Sequence, residues 1–230
     1  MIAVENCVFG KKKQAQPPLV RDTLFGDCPL DAWPADGSPV IDVFPWSAFV
    51  AGRKALRDQR PSDARAFWRE VLEHPDLESR HHLQAWHFLR LNGEQPSPDI
   101  AKRVLGVVIE VAMPKGLDTL AAYADHSARY FNYSGAVVIW ERPDDSLDPS
   151  TDELLAVAGR VVTEIGPWEE ARPGPPARGQ ARLSFLTPSG LHFGHGALGH
   201  LSIDPLGGAV LRVGTRLMQE LMGKIPATSP

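Results

Sequence analysis

The stretch from Val104 to Glu141 constrains the fold more than any other part of the chain. It contains the longest apolar run and all three tyrosines of the protein, Tyr123, Tyr130 and Tyr133. Its first part, VLGVVIEVAM, is rich in β-branched residues and too short to favour a lone buried helix, so it predicts a strand. Pro114-Lys115-Gly116 then signals a turn. We therefore expect this stretch to form the centre of a sheet.

The remainder of the same stretch predicts further antiparallel strands. Leu117–Ala124 and Ala128–Tyr133 flank Asp125-His126-Ser127, which is suited to a short hairpin loop. A helix over Leu117–Ala124 is the alternative, since leucine and alanine favour helices. Ser134-Gly135 turns the chain into a last strand, Ala136–Glu141.

The C-terminal part alternates helix, hairpin and helix. Ser150 and Glu153 form a capping-box pattern ahead of an apolar face that ends at Gly166-Pro167. A second hairpin is expected around Thr187–Gly190, and a final helix starts near Asp204-Pro205. These two helices are the natural cover for one face of the sheet.

The N-terminal part is organised differently. Residues 1–44 are read as an irregular arm with a short strand at Pro39–Val43, and residues 45–97 as a subdomain of helical hairpins, because apolar residues recur there at three- and four-residue spacing. Residues 98–225 would form the sheet domain. The predicted fold class is α+β, with N-terminal helical hairpins followed by a mostly antiparallel sheet of about five strands covered by two helices.

Charge and cysteine usage narrow the classes of function. The formal net charge of −4 gives no reason to expect nucleic acid as a partner, and no apolar run approaches the length of a membrane helix. No export signal is visible, so the two cysteines, Cys7 and Cys28, are expected to be reduced thiols of a cytoplasmic protein. A Cys7–Cys28 disulfide or a metal pair is the alternative.

The histidine-rich segment HFGHGALGH offers one candidate site. His192, His195 and His200 would hold zinc with a position open for water if they converged. Residues three apart on a strand face opposite sides, so His192 and His195 converge only if Gly194 or Gly196 bends the chain. The alternative is a glycine-rich turn with solvent-facing histidines. Ser189 is a weak candidate nucleophile, because TPSG is not a nucleophile-elbow sequence.

A second candidate is an aromatic and basic binding surface on the sheet. It comprises Tyr123, Arg129, Tyr130, Tyr133 and Trp140, residue types that are enriched at binding hot spots. The alternative is that these aromatic side chains only stabilise the sheet through cross-strand pairs.

The sequence favours a non-enzymatic protein–protein interaction or scaffold protein over an enzyme. The expected partner is another protein or a second copy of the chain, bound through a sheet edge or apolar helix faces. The first rival is a metal-dependent, hydrolase-like enzyme that uses zinc at His192, His195 and His200. The second is a small-molecule sensor with a sheet pocket lined by Tyr123, Tyr133 and Trp140.

Overall fold

The computed structural model describes residues 20–35 and 37–224. A 3₁₀ helix, Val20–Leu24, is followed by seven α-helices in this part of the chain: α1 Trp46–Arg57, α2 Pro61–Leu72, α3 Ser79–Leu91, α4 Pro98–Ala101, α5 Asp148–Glu164, α6 Leu198–Ile203 and α7 Gly207–Gly223. The six strands are β1 Gly106–Met113, β2 Gly116–Tyr123, β3 Ala128–Phe131, β4 Val137–Trp140, β5 Gln180–Thr187 and β6 Gly190–Ala197. Cys7 lies outside the described residues.

The six strands form one antiparallel sheet in the order β4-β3-β2-β1-β5-β6. Strand β1 lies near the centre and pairs with β2 on one side and with β5 on the other. The α+β class and the antiparallel sheet are therefore confirmed. The strand prediction for Leu117–Ala124 is also correct, because pairing with both β1 and β3 outweighs the helix preference of leucine and alanine.

Helices α5 and α7 cover one face of the sheet and pack against each other. The core under them contains Val107 and Ile109 from β1, Leu154 from α5 and Leu217 and Leu221 from α7, all nearly or fully buried. Each such side chain contributes roughly 1.5–3 kcal/mol relative to an exposed position. The amphipathic patterns that predicted two covering helices thus match the packing.

The opposite face is covered at one end by the N-terminal part. Leu24, Phe25 and Leu83 of α3 pack with Val108 and Tyr123 of the sheet in one buried cluster. The N-terminus of α3 is tied to the β2–β3 loop by a reciprocal pair of hydrogen bonds between Ser79 and Asp125. The helical layer and the sheet therefore share part of their core.

Helices α1, α2 and α3 enclose a core of their own. Trp68 and Phe49 are fully buried, and Phe88 contacts both rings at centroid distances of 5.3 and 6.0 Å. The backbone of α1 approaches the Trp68 indole so closely at Gly52 that a Cβ there would lie 2.3 Å from Trp68 Nε1. The helical hairpins predicted from residue 45 onward are confirmed.

Two local predictions differ from the structure. Residues 39–43 form turns and a bend, because no strand in the described part of the chain pairs with them. Helix α5 begins at Asp148 with Pro149 in its first turn, so Ser150 is inside the helix. The short helix α6, which the sequence did not predict, follows β6 directly. No described helix has both the length and the apolarity needed to cross a membrane.

Candidate functional site

The three histidines predicted to hold zinc do not come together. Strand β6 stays regular through Gly194 and Gly196, which keep their register with Leu183 and Ala181 of β5. His192 and His195 consequently face opposite sides of the sheet. His192 is fully buried, whereas His195 and His200 are exposed. Among the residues that the structure describes, no group of three or more His, Cys, Asp or Glu side chains is arranged to hold a metal ion.

His192 instead belongs to a small hydroxyl network at the β5–β6 turn. Its Nε2 lies 3.2 Å from Ser189 Oγ, which is 2.9 Å from Thr187 Oγ1. Burial lowers the pKa of His192 below its ordinary value, so the ring is neutral at pH 7 and its Nε2 can accept the Ser189 proton. The Ser189 backbone N–H donates to Ala101, so it is not free to stabilise an oxyanion. The Ser189–His192 hydrogen bond therefore stabilises the β5–β6 turn.

Four of the five residues of the predicted aromatic and basic surface are buried. Tyr123 is fully enclosed and Tyr130, Arg129 and Trp140 are 4–7% exposed, while Tyr133 is 44% exposed. Arg129 donates to Glu141 at 2.7 Å, and its guanidinium lies 5.7 Å from the centre of the Tyr123 ring. The five side chains therefore share no accessible surface, because helices and the N-terminal part cover both sheet faces where they lie.

A cleft of about 1290 Å³ lies between the helical layer and the sheet. Its walls come from residues 22–46, from α3, from the loop 167–172 and from the β5–β6 turn. Apolar side chains such as Phe25, Trp33 and Leu83 line its floor together with a few charged groups. We call it the interlayer cleft.

One wall of the interlayer cleft is held by a network of ion pairs. Arg172 Nε lies 2.6 Å from Asp27 Oδ2, and its Nη2 lies 3.0 Å from Asp22 Oδ1. The same guanidinium stacks over the Phe25 ring at 4.1 Å from its centre. Asp22 and Asp27 favour the charged form of Arg172 and, despite its burial, raise its pKa. The loop 167–172 is thereby fixed against the N-terminal part.

The opposite wall carries two titratable groups of α3, one helical turn apart. Burial lowers the pKa of His87 to about 4, so the imidazole is neutral at pH 7. Burial also lowers the pKa of Arg90 to about 10, although its guanidinium stays charged at pH 7. Burial is likewise the main cause that raises the pKa of the Cys28 thiol, to about 11, which leaves it an unreactive thiol.

Two large apolar side chains at the cleft remain accessible. Leu91, the last residue of α3, is 68% exposed, and Trp168 is 40% exposed. Trp168 is held in place because its backbone N–H donates to Leu191 and its indole N–H donates to Ala171. Its ring also packs edge-on against Phe193 at 5.1 Å. A rigid, exposed aromatic side chain of this kind is typical of a binding anchor.

A second, more apolar cavity of about 770 Å³ lies between the sheet and helices α6 and α7. Tyr130, Asp118 and Arg212 bring polar atoms to it. The small-molecule pocket predicted from Tyr123, Tyr133 and Trp140 corresponds to neither cavity, since none of these three residues lines either one.

Reasoning from the sequence did not single out Arg90, Leu91 or Trp168. Arg90 and Leu91 resemble an ordinary helix end before Asn92-Gly93, and Trp168 opens a proline-rich loop. The feature of the sequence that could have indicated this surface is the position of Trp168 in a proline-rich loop. No protein-family model matches the chain, and no curated protein or solved structure is detectably similar to it.

Proposed function

We propose that this protein is a non-catalytic binding protein whose interlayer cleft holds an extended segment of a partner protein. The observation that carries the proposal is the cleft itself, about 1290 Å³ in volume and lined by both layers of the fold. Pockets for small molecules are usually about 300–1,000 Å³ and enclose most of the ligand. An open cleft above that range suits a stretch of polypeptide better than a metabolite.

The accessible apolar side chains at the cleft support this assignment. Trp168 and Leu91 give a partner segment apolar contacts that require little rearrangement, because hydrogen bonds already fix the Trp168 loop. The ion pairs of Arg172 fix the loop 167–172 against the N-terminal part, which gives that wall of the cleft a defined geometry. The proposal includes a reducing, cytoplasmic setting, in which the buried thiol of Cys28 stays reduced.

A display selection with random peptides tests the proposed function. Peptides are selected on the wild-type protein, and their affinities are then measured by calorimetry on Trp168→Ala and Leu91→Ala. We expect each substitution to weaken binding by about tenfold or more, as for a hot-spot residue. Ile203→Ala is the matched control, because Ile203 is 82% exposed on α6 and does not line the cleft. Peptides that bind both cleft variants as well as the wild type would overturn the proposal.

Self-association is a second candidate function, and edge strand β4 favours it. Strand β4 pairs with β3 on one side and ends the sheet on the other. Val137 and Ile139, which share a face of this strand, are 50% and 58% exposed. An apolar, uncharged edge strand is a template for pairing with another strand. A second copy of the chain could extend the sheet by antiparallel β4–β4 pairing about a two-fold axis.

Sedimentation of the protein over a range of concentrations tests this second candidate. We expect a concentration-dependent dimer that Ile139→Lys abolishes, because a lysine on an edge strand opposes pairing. Ile203→Lys, which adds the same charge at another exposed isoleucine, should leave the dimer intact. A monomer at all concentrations, or a dimer that Ile139→Lys does not weaken, would rule out this candidate.

A further inference from the structure

Arg90 differs from the other guanidinium of the interlayer cleft in having no carboxylate partner. Its Nη1 donates to the Pro188 carbonyl at 2.5 Å, and no ion pair joins it to any residue that the structure describes. Arg172, by contrast, is bound by both Asp22 and Asp27. Both oxygens of Asp27 are engaged by Arg172, so Asp27 acts on Arg90 only by attraction at longer range.

The Arg90 guanidinium is therefore a positive charge with unused hydrogen-bond donors in a partly buried position. A guanidinium has five N–H donors in a planar fork, and Arg90 uses one of them on Pro188. No nitrogen atom of Arg90 is both enclosed and without a hydrogen-bond partner, so its unused donors remain reachable from the cleft. Withdrawing a charge from water without a counter-ion is costly, and a bound anion would offset that cost.

The residues around Arg90 leave room for such an anion. Gly190 lies beside the guanidinium, and a Cβ at that position would be in van der Waals contact with it at 3.8 Å, so the absence of a side chain leaves this side of the fork uncovered. His87, three residues earlier on α3, is neutral at pH 7 and adds no second charge. Pro188 holds one corner of the fork in place, which pre-organises the remaining donors.

We infer that Arg90 is the anchor for a single carboxylate group carried by the segment that occupies the interlayer cleft. This inference rests on the proposed function, whose ligand it specifies. A carboxylate fits better than a phosphate, because four acidic side chains line the cleft, Asp22, Asp27, Glu169 and Glu170, against the two guanidiniums of Arg90 and Arg172. A doubly charged group would meet more repulsion there than a singly charged one.

Nuclear magnetic resonance of the Arg90 side chain tests the inference on the intact protein. The Arg90 Nε–H signal is followed during titration with N-acetyltryptophan, which has one carboxylate and an aromatic ring. We expect a saturable shift with this probe, and none with N-acetyltryptophanamide, which lacks the charge. Inorganic phosphate should bind more weakly than the carboxylate probe. Equal responses to acid and amide, or tighter binding of phosphate, would overturn the inference.

Substitutions at position 90 distinguish the effect of the positive charge from that of the planar guanidinium. Arg90→Gln should weaken binding of N-acetyltryptophan by about tenfold or more, and Arg90→Lys by less, because lysine keeps the charge and loses the fork. Arg103→Gln is the matched control, since Arg103 is exposed outside the cleft. If Arg90→Gln unfolds, Arg90→Lys still decides the question. Full affinity in Arg90→Lys would contradict anchoring by the planar fork.

The same variants distinguish this inference from the proposed function. Display-selected peptides that depend on Trp168 and bind Arg90→Gln at full strength would leave the proposed function standing and remove the carboxylate anchor. A carboxylate-dependent shift of Arg90 without any cleft-dependent peptide would establish the anion site and remove the partner-segment function.

Discussion

Glu110 in the central strand β1 forms a two-point ion pair with Arg21 in the 3₁₀ helix, 89 residues away in sequence. The two contacts measure 2.5 Å from Arg21 Nε to Oε1 and 3.0 Å from Nη2 to Oε2. Glu110 is fully buried, and the Arg21 side chain is 10% exposed. The N-terminal part is thus joined to the middle of the sheet by a charge pair that water scarcely reaches.

Removing one partner of this pair should destabilise the protein strongly. Glu110→Ala leaves the Arg21 guanidinium with only the Pro173 carbonyl at 3.3 Å and Asp22 Oδ1 at 3.9 Å, and we expect it to lower the free energy of unfolding by about 3–5 kcal/mol. The double variant Arg21→Met/Glu110→Met should recover much of that loss, since it removes both charges. Urea denaturation measures both effects. A Glu110→Ala variant within about 1 kcal/mol of wild type would contradict a desolvated pair.

Acidification should destabilise the protein before its carboxylates titrate. Burial lowers the pKa of His81 to about 4, whereas an unfolded histidine titrates near 6.5. Between these values the unfolded chain binds more protons than the folded one, so stability is complete above about pH 6.5 and falls as the pH decreases towards 4. The contribution of His81 is on the order of 3 kcal/mol. Urea denaturation at pH 7 and pH 4.5 measures this loss together with that of His87, whose pKa burial also lowers to about 4.

His81→Phe should remove that part of the pH dependence. The ring of His81 packs against Trp46 at 4.8 Å and Trp33 at 6.0 Å, contacts that phenylalanine can keep. Its Nδ1 is buried without a hydrogen-bond partner, so little is lost at pH 7. His200→Phe, at an exposed histidine, is the control and should keep the wild-type slope. An unchanged slope in His81→Phe would assign the acid sensitivity elsewhere.

Two glycine-to-alanine substitutions in helices should have opposite signs. In Gly52→Ala the new methyl group would lie 2.3 Å from Trp68 Nε1, inside a closely packed core, and we expect a loss of about 1–3 kcal/mol. In Gly159→Ala nothing lies within 4 Å of the new methyl group, and higher helix propensity should stabilise α5 by up to about 1 kcal/mol. Thermal and urea unfolding compare them. The same sign for both would show that the α1–α2 contact can relax.

Removing the hydroxyl group should destabilise the protein at the buried Tyr123 and have little effect at the exposed Tyr133. Tyr123 Oη donates to the Leu24 carbonyl at 2.7 Å inside the core, so Tyr123→Phe leaves a buried carbonyl without its donor. We expect a loss of about 1–3 kcal/mol in the free energy of unfolding. Tyr133→Phe, at a side chain that is 44% exposed, should stay within about 0.5 kcal/mol of wild type.

Most of the secondary structure could be predicted because local patterns and packing agree. The apolar face traced from Leu154 to Ile165 is the face that α5 packs on the sheet, and VLGVVIEVAM became the central strand. Prediction failed at Pro39–Val43, where β-branched residues have no neighbouring strand to pair with. A strand forms only where a neighbouring strand can pair with it, and the residues of the segment itself do not show whether such a neighbour exists.

The cleft could not be predicted, because it depends on contacts between distant segments. Arg90 and Trp168 line the same cavity because both are hydrogen-bonded to the region of the β5–β6 turn. Arg90 Nη1 donates to the Pro188 carbonyl, and the Trp168 backbone N–H donates to the Leu191 carbonyl. Neither contact leaves a pattern in sequence. The alternation rule did anticipate that His192 and His195 would face opposite sides unless a glycine bent the strand, and β6 does not bend.

The central position of β1 has a consequence for synthesis on the ribosome. Strands β1 to β4 follow one another closely in the chain, so this part of the sheet can assemble early. The second edge of β1 pairs with residues 181–186, which emerge some seventy residues after β1. Until then a nascent chain presents an open edge formed by an apolar strand, the feature that invites wrong strand pairing. The interval between β1 and β5 is where a chaperone would have most to protect.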